Sequence, residues 1–481
     1  NHINKSQTRH HERTTERTYT PVAMDRVRKA LGRQHSSTST SEYEPLTGNE
    51  EATPLEGSTQ LEGQHELPFS WVEYSIFGLL GVAMLWAWNM FLAAAPYFTA
   101  RFAGDAWIQA NFQSAILTVS TVTNLGAMLV LTSIQYSASY PFRINLALVI
   151  NVATFGLLTA STVLGLSASP TVYLVFLLAT VAAAALAAGL IQNGAFAFAA
   201  SFGRPEYMQA IMAGQGIAGV LPPLAQVFTV LAFPPDKENA SKGASAEDGQ
   251  TSAFVYFLTA VIVSVVALVS FIPLVRRHNH IIENRMVEQM NESMHSIEEA
   301  ERAARKVTSL WRLFTKLHWL SIGVALTFTA TMFMPVFTAK IHSVKETSGA
   351  IYQPAAFIPL GFFFWNLGDL GGRVATILPF SLRHRPFALF VLAVVRYGWL
   401  PLYLLCNIDN RGAIVSSDFF YLCIVQLVFG LTNGWLGSSF MMASGEWVDE
   451  GEREAAGGFM GLCLVAGLSV GSLLSFTVAD I

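Results

Sequence analysis

The chain has 481 residues, of which 52% are hydrophobic and only 13% charged, and its mean hydropathy is +0.43. A water-soluble globular protein carries about a quarter charged residues, so that class is excluded and a polytopic membrane protein is expected. A net charge of −4 and a pI near 6.3 give no reason to expect nucleic-acid binding. The three cysteines, Cys406, Cys423 and Cys463, lie far apart in apolar stretches and form neither a disulfide framework nor a zinc spacing.

Residues 1–70 read as a disordered cytosolic tail, with too little apolar surface to offset the entropy of ordering. Within it Tyr43-Glu44-Pro45-Leu46 is similar to a tyrosine-based sorting signal, with Tyr43 and Leu46 as the residues a sorting adaptor would read. No apolar signal-peptide core precedes Trp71, so the first span is expected to direct insertion itself. Eleven apolar runs follow, at about 74–98, 111–135, 144–166, 171–200, 208–232, 252–275, 317–339, 352–380, 386–406, 417–443 and 456–479. Each is long enough to cross a bilayer as a helix, and unpaired amides in lipid leave helices as the economical reading. Pro222, Pro223, Pro335, Pro359 and Pro401 fall inside runs and are expected to kink spans rather than end them.

The runs divide the chain into a six-helix bundle over 71–275 and a five-helix bundle over 317–481, separated by a charged loop over 276–316. In that loop Met286, Met290, Met294 and Ile297 recur at helical spacing. They suit either an amphipathic helix docked laterally or a solvated helical linker, the latter preferred. Lys and Arg concentrate in the tail and in the loops on the same side, which places the N-terminus in the cytosol and, with an odd number of spans, the C-terminus in the lumen or outside. The sequon Asn239-Ala240-Ser241 falls on the non-cytosolic side, making Asn239 a glycosylation candidate.

Charges deep inside spans are the sharpest functional signal, because an ionisable group at the bilayer centre costs at least ~2.5–3.5 kcal/mol. Two cations, Arg373 and Arg396, and one anion, Asp369, sit there. Asp369 and Arg373 are one helical turn apart on one face, with Asn366 one turn earlier. Such a stripe must line a cavity or a helix interface. It suits either a self-neutralising pair that joins helices or a pair that holds a polar molecule, Arg donating through its planar fork and Asp accepting hydroxyl protons. Gln192-Asn193 in an alanine-rich span suits an interhelical bond or an amide that reads a heterocyclic ring, and Trp88-Asn89 suits an interfacial anchor or, lying beyond the middle of its span, an indole that stacks on a ligand, the latter preferred. Arg396 is expected to snorkel or to pair with backbone.

These residues carry a resemblance. The chain resembles the equilibrative nucleoside transporters, fungal-like members among them, through Trp88-Asn89 with Tyr97-Phe98 and Arg101, Gln192-Asn193-Gly194, Ile211-Met212-Ala213-Gly214-Gln215-Gly216, Trp365-Asn366-x-x-Asp369-x-x-Gly372-Arg373 and Thr432-Asn433-Gly434-Trp435-Leu436. The resemblance runs in order over about 71–481. It implies an all-α fold of about 11 transmembrane helices in a major-facilitator-like 6+5 arrangement and a carrier for nucleosides, or nucleobases, moving down their gradient. By the same resemblance Asp369 and Arg373 hold the ribose hydroxyls, Gln192 bonds the base, and Trp88, Leu92 and Phe362 shape its apolar slot. Asn366 supports the pair, while Asn89, Gly214, Gln215, Gly216, Asn433 and Gly434 serve helix packing or gating. Gly368 and Leu370 stand where many members carry aromatics.

No GxxxxGK[ST] stretch is present for ATP-driven pumping. No nucleophile with a positioned base and no metal-ligand set emerges, so neither enzymatic chemistry nor a cofactor or metal is expected. The expected partners are a nucleoside, the bilayer and a sorting adaptor at the tail, with no nucleic acid. Alternating access between the two bundles is the expected mechanism. Passive movement is preferred to proton symport because Asp369, the one deep carboxylate, has its own cation beside it; a non-transporting receptor is the remaining alternative. A vacuolar or endolysosomal membrane is preferred to the plasma membrane.

Overall fold

Helix α1 (Trp71–Ala93) begins where Ser70 accepts a hydrogen bond from the Glu73 amide. The same device starts several later helices: Asp105 caps α3 (Ala106–Ser133), Ser139 caps α4 (Tyr140–Val163), Ser169 caps α5 (Pro170–Ser201) and Ser309 caps α8 (Leu310–Thr331). Each cap satisfies a backbone N–H that the helix cannot, and Pro141 and Pro170 add a preset first turn. The short α2 (Ala95–Arg101) continues α1 after a break at Ala94, and α9 (Phe333–Thr338) continues α8 after a break at Met332. The remaining helices are α6 (Pro205–Ala232), α7 (Ala246–Glu292), α10 (Pro354–Ala375), α11 (Pro386–Val395), α12 (Val428–Ala443) and α13 (Arg453–Ser475).

The computed structural model describes residues 69–134, 139–164, 168–232, 246–292, 309–379 and 381–478, all within one compact unit beginning at Gln64. The sorting motif at Tyr43 and Leu46 and the glycosylation candidate Asn239 lie outside them.

Ten of the described helices are long and apolar enough to cross a membrane. The expected eighth span, α10, is a continuous helix of 22 residues but does not reach the apolarity of the other ten. Asn366, Asp369, Arg373 and its glycines dilute its apolar residues. A helix so composed is suited to a place among other helices, and α10 packs against α6 and α12. Apolar side chains such as Val149, Leu157, Ile262 and Val269 instead stand exposed along α4 and α7, as a lipid-facing surface requires.

Some boundaries differ from the sequence-based expectation. Helix α7 runs on to Glu292, well into the region read as a charged loop; Met286 and Met290 fall on this continuation of the span, and Met294 and Ile297 lie outside the described residues. Helix α8 starts at Leu310, ahead of the expected 317, because the Ser309 cap rather than the apolar run sets its first turn. The ninth span changes from α11 into a 3-10 stretch, Arg396–Leu405, holding Pro401, and the tenth opens with a π-helical stretch, Phe420–Leu427, before α12. Pro222, Pro223 and Pro359 sit inside unbroken helices, while Pro335 follows the break at Met332.

Within the first six spans α1 packs on α6 and α7, α4 on α5 and α7, and α3 on α5. Within the last five, α10 packs on α12 and α8 on α13 and α11. The two sets meet where α6 lies against α10 and where α5 and α3 lie against α13. Lipid tails are as apolar as leucine, so close packing rather than water exclusion has to hold these crossings. Glycines make it possible: a Cβ on Gly214 would overlap the backbone of Gly78, and one on Gly434 would overlap the backbone carbonyl of Asp369.

Candidate substrate site

Two hollows need to be distinguished. The larger, of about 650 Å³, lies at the loop end between Arg204, Glu206, Arg383, Glu446 and Arg453. Within it Arg383 meets Glu446 at 2.7 Å and Arg453 meets Glu450 at 4.0 Å. The smaller, of about 280 Å³, lies inside the helix bundle. Its wall from the first six spans includes Trp88, Asn124, Asn151, Gln192 and Gln215, and the opposite wall includes Met332, Leu468, Ser469 and Ser472. A mostly apolar cavity with a few convergent polar groups is the usual form of a small-molecule site. The candidate site is this second cavity.

Asp369 and Arg373 do not line it. They lie next to it at the seam between α6, α10 and α12, with side chains only 4% and 6% exposed. Arg373 Nε donates to Asp369 Oδ2 at 2.7 Å, and its Nη1 donates to the Met212 carbonyl at 2.7 Å and to Gln215 Oε1 at 3.1 Å. The other carboxylate oxygen, Asp369 Oδ1, accepts from Asn433 Nδ2 at 2.7 Å, and Asn433 Oδ1 in turn accepts from Thr331 at 2.6 Å. The planar guanidinium explains this arrangement, since its fork reaches an anion on its own helix and two acceptors on another at once. Burying such a pair is tolerable only when its remaining lone pairs and protons are met, and here both carboxylate oxygens are met.

Gln215 joins the seam to the cavity. It lines the cavity, donates through Nε2 to the Met84 sulfur at 2.9 Å, and accepts from Arg373. Around it, small residues allow the approach: Gly216 lies against Leu370 and Arg373, and Gly219 leaves the room that the Asn366 amide fills. Asn89 ties α1 to α6 by donating to the Ala218 carbonyl at 2.7 Å.

The residues singled out in the sequence therefore fall into three places. Trp88, Gln192 and Gln215 line the cavity. Asp369, Arg373, Asn433 and the glycines Gly214, Gly216 and Gly434 form or surround the seam. Leu92 is 56% exposed and Phe362 packs on the aromatic cluster of the last five spans, so neither touches the cavity in this conformation. Asn366 donates to the Phe362 carbonyl of its own helix at 2.8 Å rather than to the ion pair. Arg396 is 2% exposed; it donates to the Thr327 carbonyl at 2.7 Å and lies 4.0 Å above the Phe429 ring, pairing with backbone as expected.

Sequence reasoning missed Gln209, whose Nε2 donates to the Arg373 carbonyl at 3.1 Å while its Oε1 accepts from Tyr74 at 2.6 Å. It also missed Asn124 and Asn151 in the cavity wall. Amides in the middle of apolar runs were the available signal for the two asparagines.

A family profile described as Nucleoside transporter matches residues 178–479, more than half of the chain. The chain belongs to the nucleoside transporter family. It is 28% identical over 445 residues to the nucleoside transporter FUN26 of Saccharomyces cerevisiae, covering 84% of this chain and 83% of that protein. It is 27% identical over 433 residues to equilibrative nucleotide transporter 1 of Arabidopsis thaliana, covering 88% and 89%. It is 26% identical over 455 residues to equilibrative nucleoside transporter 1 of Homo sapiens, covering 83% and 95%. Its fold is similar to that of the proton:xylose symporter XylE of the major facilitator superfamily, with a TM-score of 0.55 at 12% identity over 85% of this chain and 87% of that one. The outward-conformation structure of FucP, of the same superfamily, gives a TM-score of 0.50 at 12% identity over 85% and 96%. At that identity the likeness concerns the fold alone. The nucleoside transporter described here is thus an all-α, multi-pass membrane carrier of major-facilitator architecture, and the relatives it matches are transporters, not enzymes.

Proposed function

We propose that this transporter moves nucleosides down their gradient by alternating access, the first six spans rocking against the last five about the bundle cavity. The observation that carries the reading is the bond between Arg373 and Gln215. It links a buried charge pair on the five-span side to a side chain in the cavity wall on the six-span side, so a ligand that recruits either partner acts on the seam. In the conformation described here the pair is closed off from the cavity. Binding of a ribose would draw Arg373 and Asp369 towards its hydroxyls, exchanging the bonds to Met212 and Gln215 for bonds to the substrate. A carrier of this kind needs two conformations close in energy, with a ligand that locks neither.

Trp88 and Gln192 would hold the base, the indole by stacking and the amide by hydrogen bonding. Both oxygens of Asp369 already accept hydrogen bonds from Arg373 and Asn433, which supports passive movement over proton symport. The loops at the N-terminal end of α1 carry Arg204, Arg383 and Arg385, which supports a cytosolic N-terminus; an internal membrane as the place of residence is part of the same proposal. The test is uptake of radiolabelled uridine by purified protein in sealed vesicles, with and without a pH gradient. The expected course reaches the outside concentration and stops there in both. Accumulation above the outside concentration that depends on an acidic exterior would replace the passive reading with symport, and specific binding without flux would replace it with a receptor.

A further inference from the structure

Hydrogen bonds between α6 and α10 converge on Arg373, but they are of two kinds. Its guanidinium donates to the Met212 carbonyl and to Gln215, and these are the bonds a ribose would take over. Its backbone carbonyl instead accepts from Gln209 Nε2 at 3.1 Å, and a ligand that recruits the side chain leaves this bond standing. The carbonyl is among the last four of α10, which ends at Ala375, and a helix cannot satisfy these from within. Gln209 therefore reaches across from the first six spans to cap a helix of the last five. Thr376 Oγ1 donates to the same carbonyl at 2.6 Å, so the carbonyl keeps a partner when Gln209 withdraws. A bond that can be given up without stranding its acceptor suits a contact that is made and broken repeatedly.

Gln209 is fully buried and the direction of its amide is set. Tyr74 of α1 donates to Oε1 at 2.6 Å, which turns Nε2 towards α10. The flipped amide would set Oε1 against the Arg373 carbonyl, one acceptor facing another. Tyr74 and Gln209 lie about one turn into α1 and α6, at the end of the bundle where α10 finishes. The loop-end hollow lies at that end, with Pro205, Glu206 and Met208 in its wall. The bundle cavity is lined by Gln215 of α6 and, on α1, by residues from Met84 onwards, about 15 Å along the helix from Tyr74. On α6, then, Gln209 and Met212 bond α10 in the interval between the two hollows.

We infer that Gln209, aimed by Tyr74, is a latch that holds the bundle cavity apart from the loop-end hollow, and that its release of the Arg373 carbonyl joins the two into the route by which substrate leaves. This deepens the reading under Proposed function and rests on it. Substrate draws on the Arg373 side chain, whereas the latch grips the backbone of the same residue and sets how readily the seam parts. Gln209 is thus a positioning residue that acts through α10 and does not touch the substrate.

The test is the rate at which a water-soluble maleimide reacts with one reporter cysteine in the full chain, held in lipid nanodiscs so that both faces meet the reagent. Cys406, Cys423 and Cys463 are changed to alanine, and no nucleoside is present. The reporters are Met441→Cys, fully buried in the wall of the loop-end hollow, and Ser472→Cys, in the wall of the bundle cavity. Gln209→Met is of similar size and lacks the donor. It should make the Met441→Cys reporter react about fivefold faster, the population shift that one net hydrogen bond sets, while the Ser472→Cys reporter reacts no faster. Tyr74→Phe, which removes only the hydroxyl, should act in the same direction and less, and it decides alone where Gln209→Met does not fold. Faster reaction at both reporters is general loosening and overturns the inference, as does an unchanged rate at the Met441→Cys reporter. Either result leaves the carrier reading intact, because no substrate enters the measurement. A wild type that binds uridine without flux overturns the carrier reading and the exit route with it, whatever the labelling.

Discussion

At the residue scale, Asp369 and Arg373 differ in what they touch, and their variants should differ accordingly. Among the described residues Asp369 accepts from Arg373 and Asn433, so Asp369→Asn keeps the size of the side chain and one acceptor while removing the charge that would attract ribose hydroxyls. It should weaken uptake of nucleosides at least tenfold while free nucleobases lose less than threefold, as competition uptake would register; an equal loss for both would assign Asp369 to packing alone. Gln215 bridges seam and cavity, and Gln215→Leu should leave Arg373 one acceptor short and lower uptake severalfold, with surface expression unchanged in a biotinylation assay. The ion pair was legible because charge in an apolar run is costly and hence conspicuous, and the i, i+4 spacing placed both groups on one face. That the pair would be sealed at the seam, with Gln215 rather than itself facing the cavity, was not legible, because it depends on how α6 and α10 meet. Asn124 and Asn151 were overlooked for the opposite reason: a single neutral amide in a long apolar run barely alters its hydropathy.

At the element scale, the crossing of α10 and α12 is set by small residues on both helices, and Gly434 is the point where a side chain would meet the backbone of Asp369. Gly434→Ala should force the helices apart and strain the Asn433–Asp369 bond. Overpacking of this kind costs about 1–3 kcal/mol, which should appear as a lower melting temperature by fluorescence-detected unfolding together with loss of uptake. Gly371, on the same helix, has open space where a Cβ would stand, and Gly371→Ala should be neutral or slightly stabilising, because alanine is the better helix former. Identical behaviour of the two variants would remove the close-packing argument. The spans themselves were legible from apolar run length. The 3-10 stretch at Arg396–Leu405, the π-helical opening of the tenth span and the extension of α7 to Glu292 were not. The first holds Pro401, which lacks the amide an α-helix would use there, the second has its Ile424 carbonyl met by the Trp399 indole from the ninth span, and the charged residues of the third mask a helix that continues beyond the apolar run.

At the scale of the whole molecule, the two sets of spans meet mainly along α6–α10 and along α5 and α3 against α13, and the account requires at least the first of these seams to open and close in each transport cycle. Arg373 is the side chain whose bonds must exchange for that to happen. Lysine in its place keeps the positive charge beside Asp369 but cannot reach Asp369, Met212 and Gln215 together, since it lacks the fixed fork. The most direct measurement is therefore the rate of labelled uridine uptake per molecule of protein in sealed vesicles, for wild type and Arg373→Lys, each shown to be folded by its melting curve. The account predicts that the wild type fills the vesicles to the outside concentration while Arg373→Lys stays within a few per cent of protein-free vesicles; a folded Arg373→Lys protein that transports at the wild-type rate would contradict it.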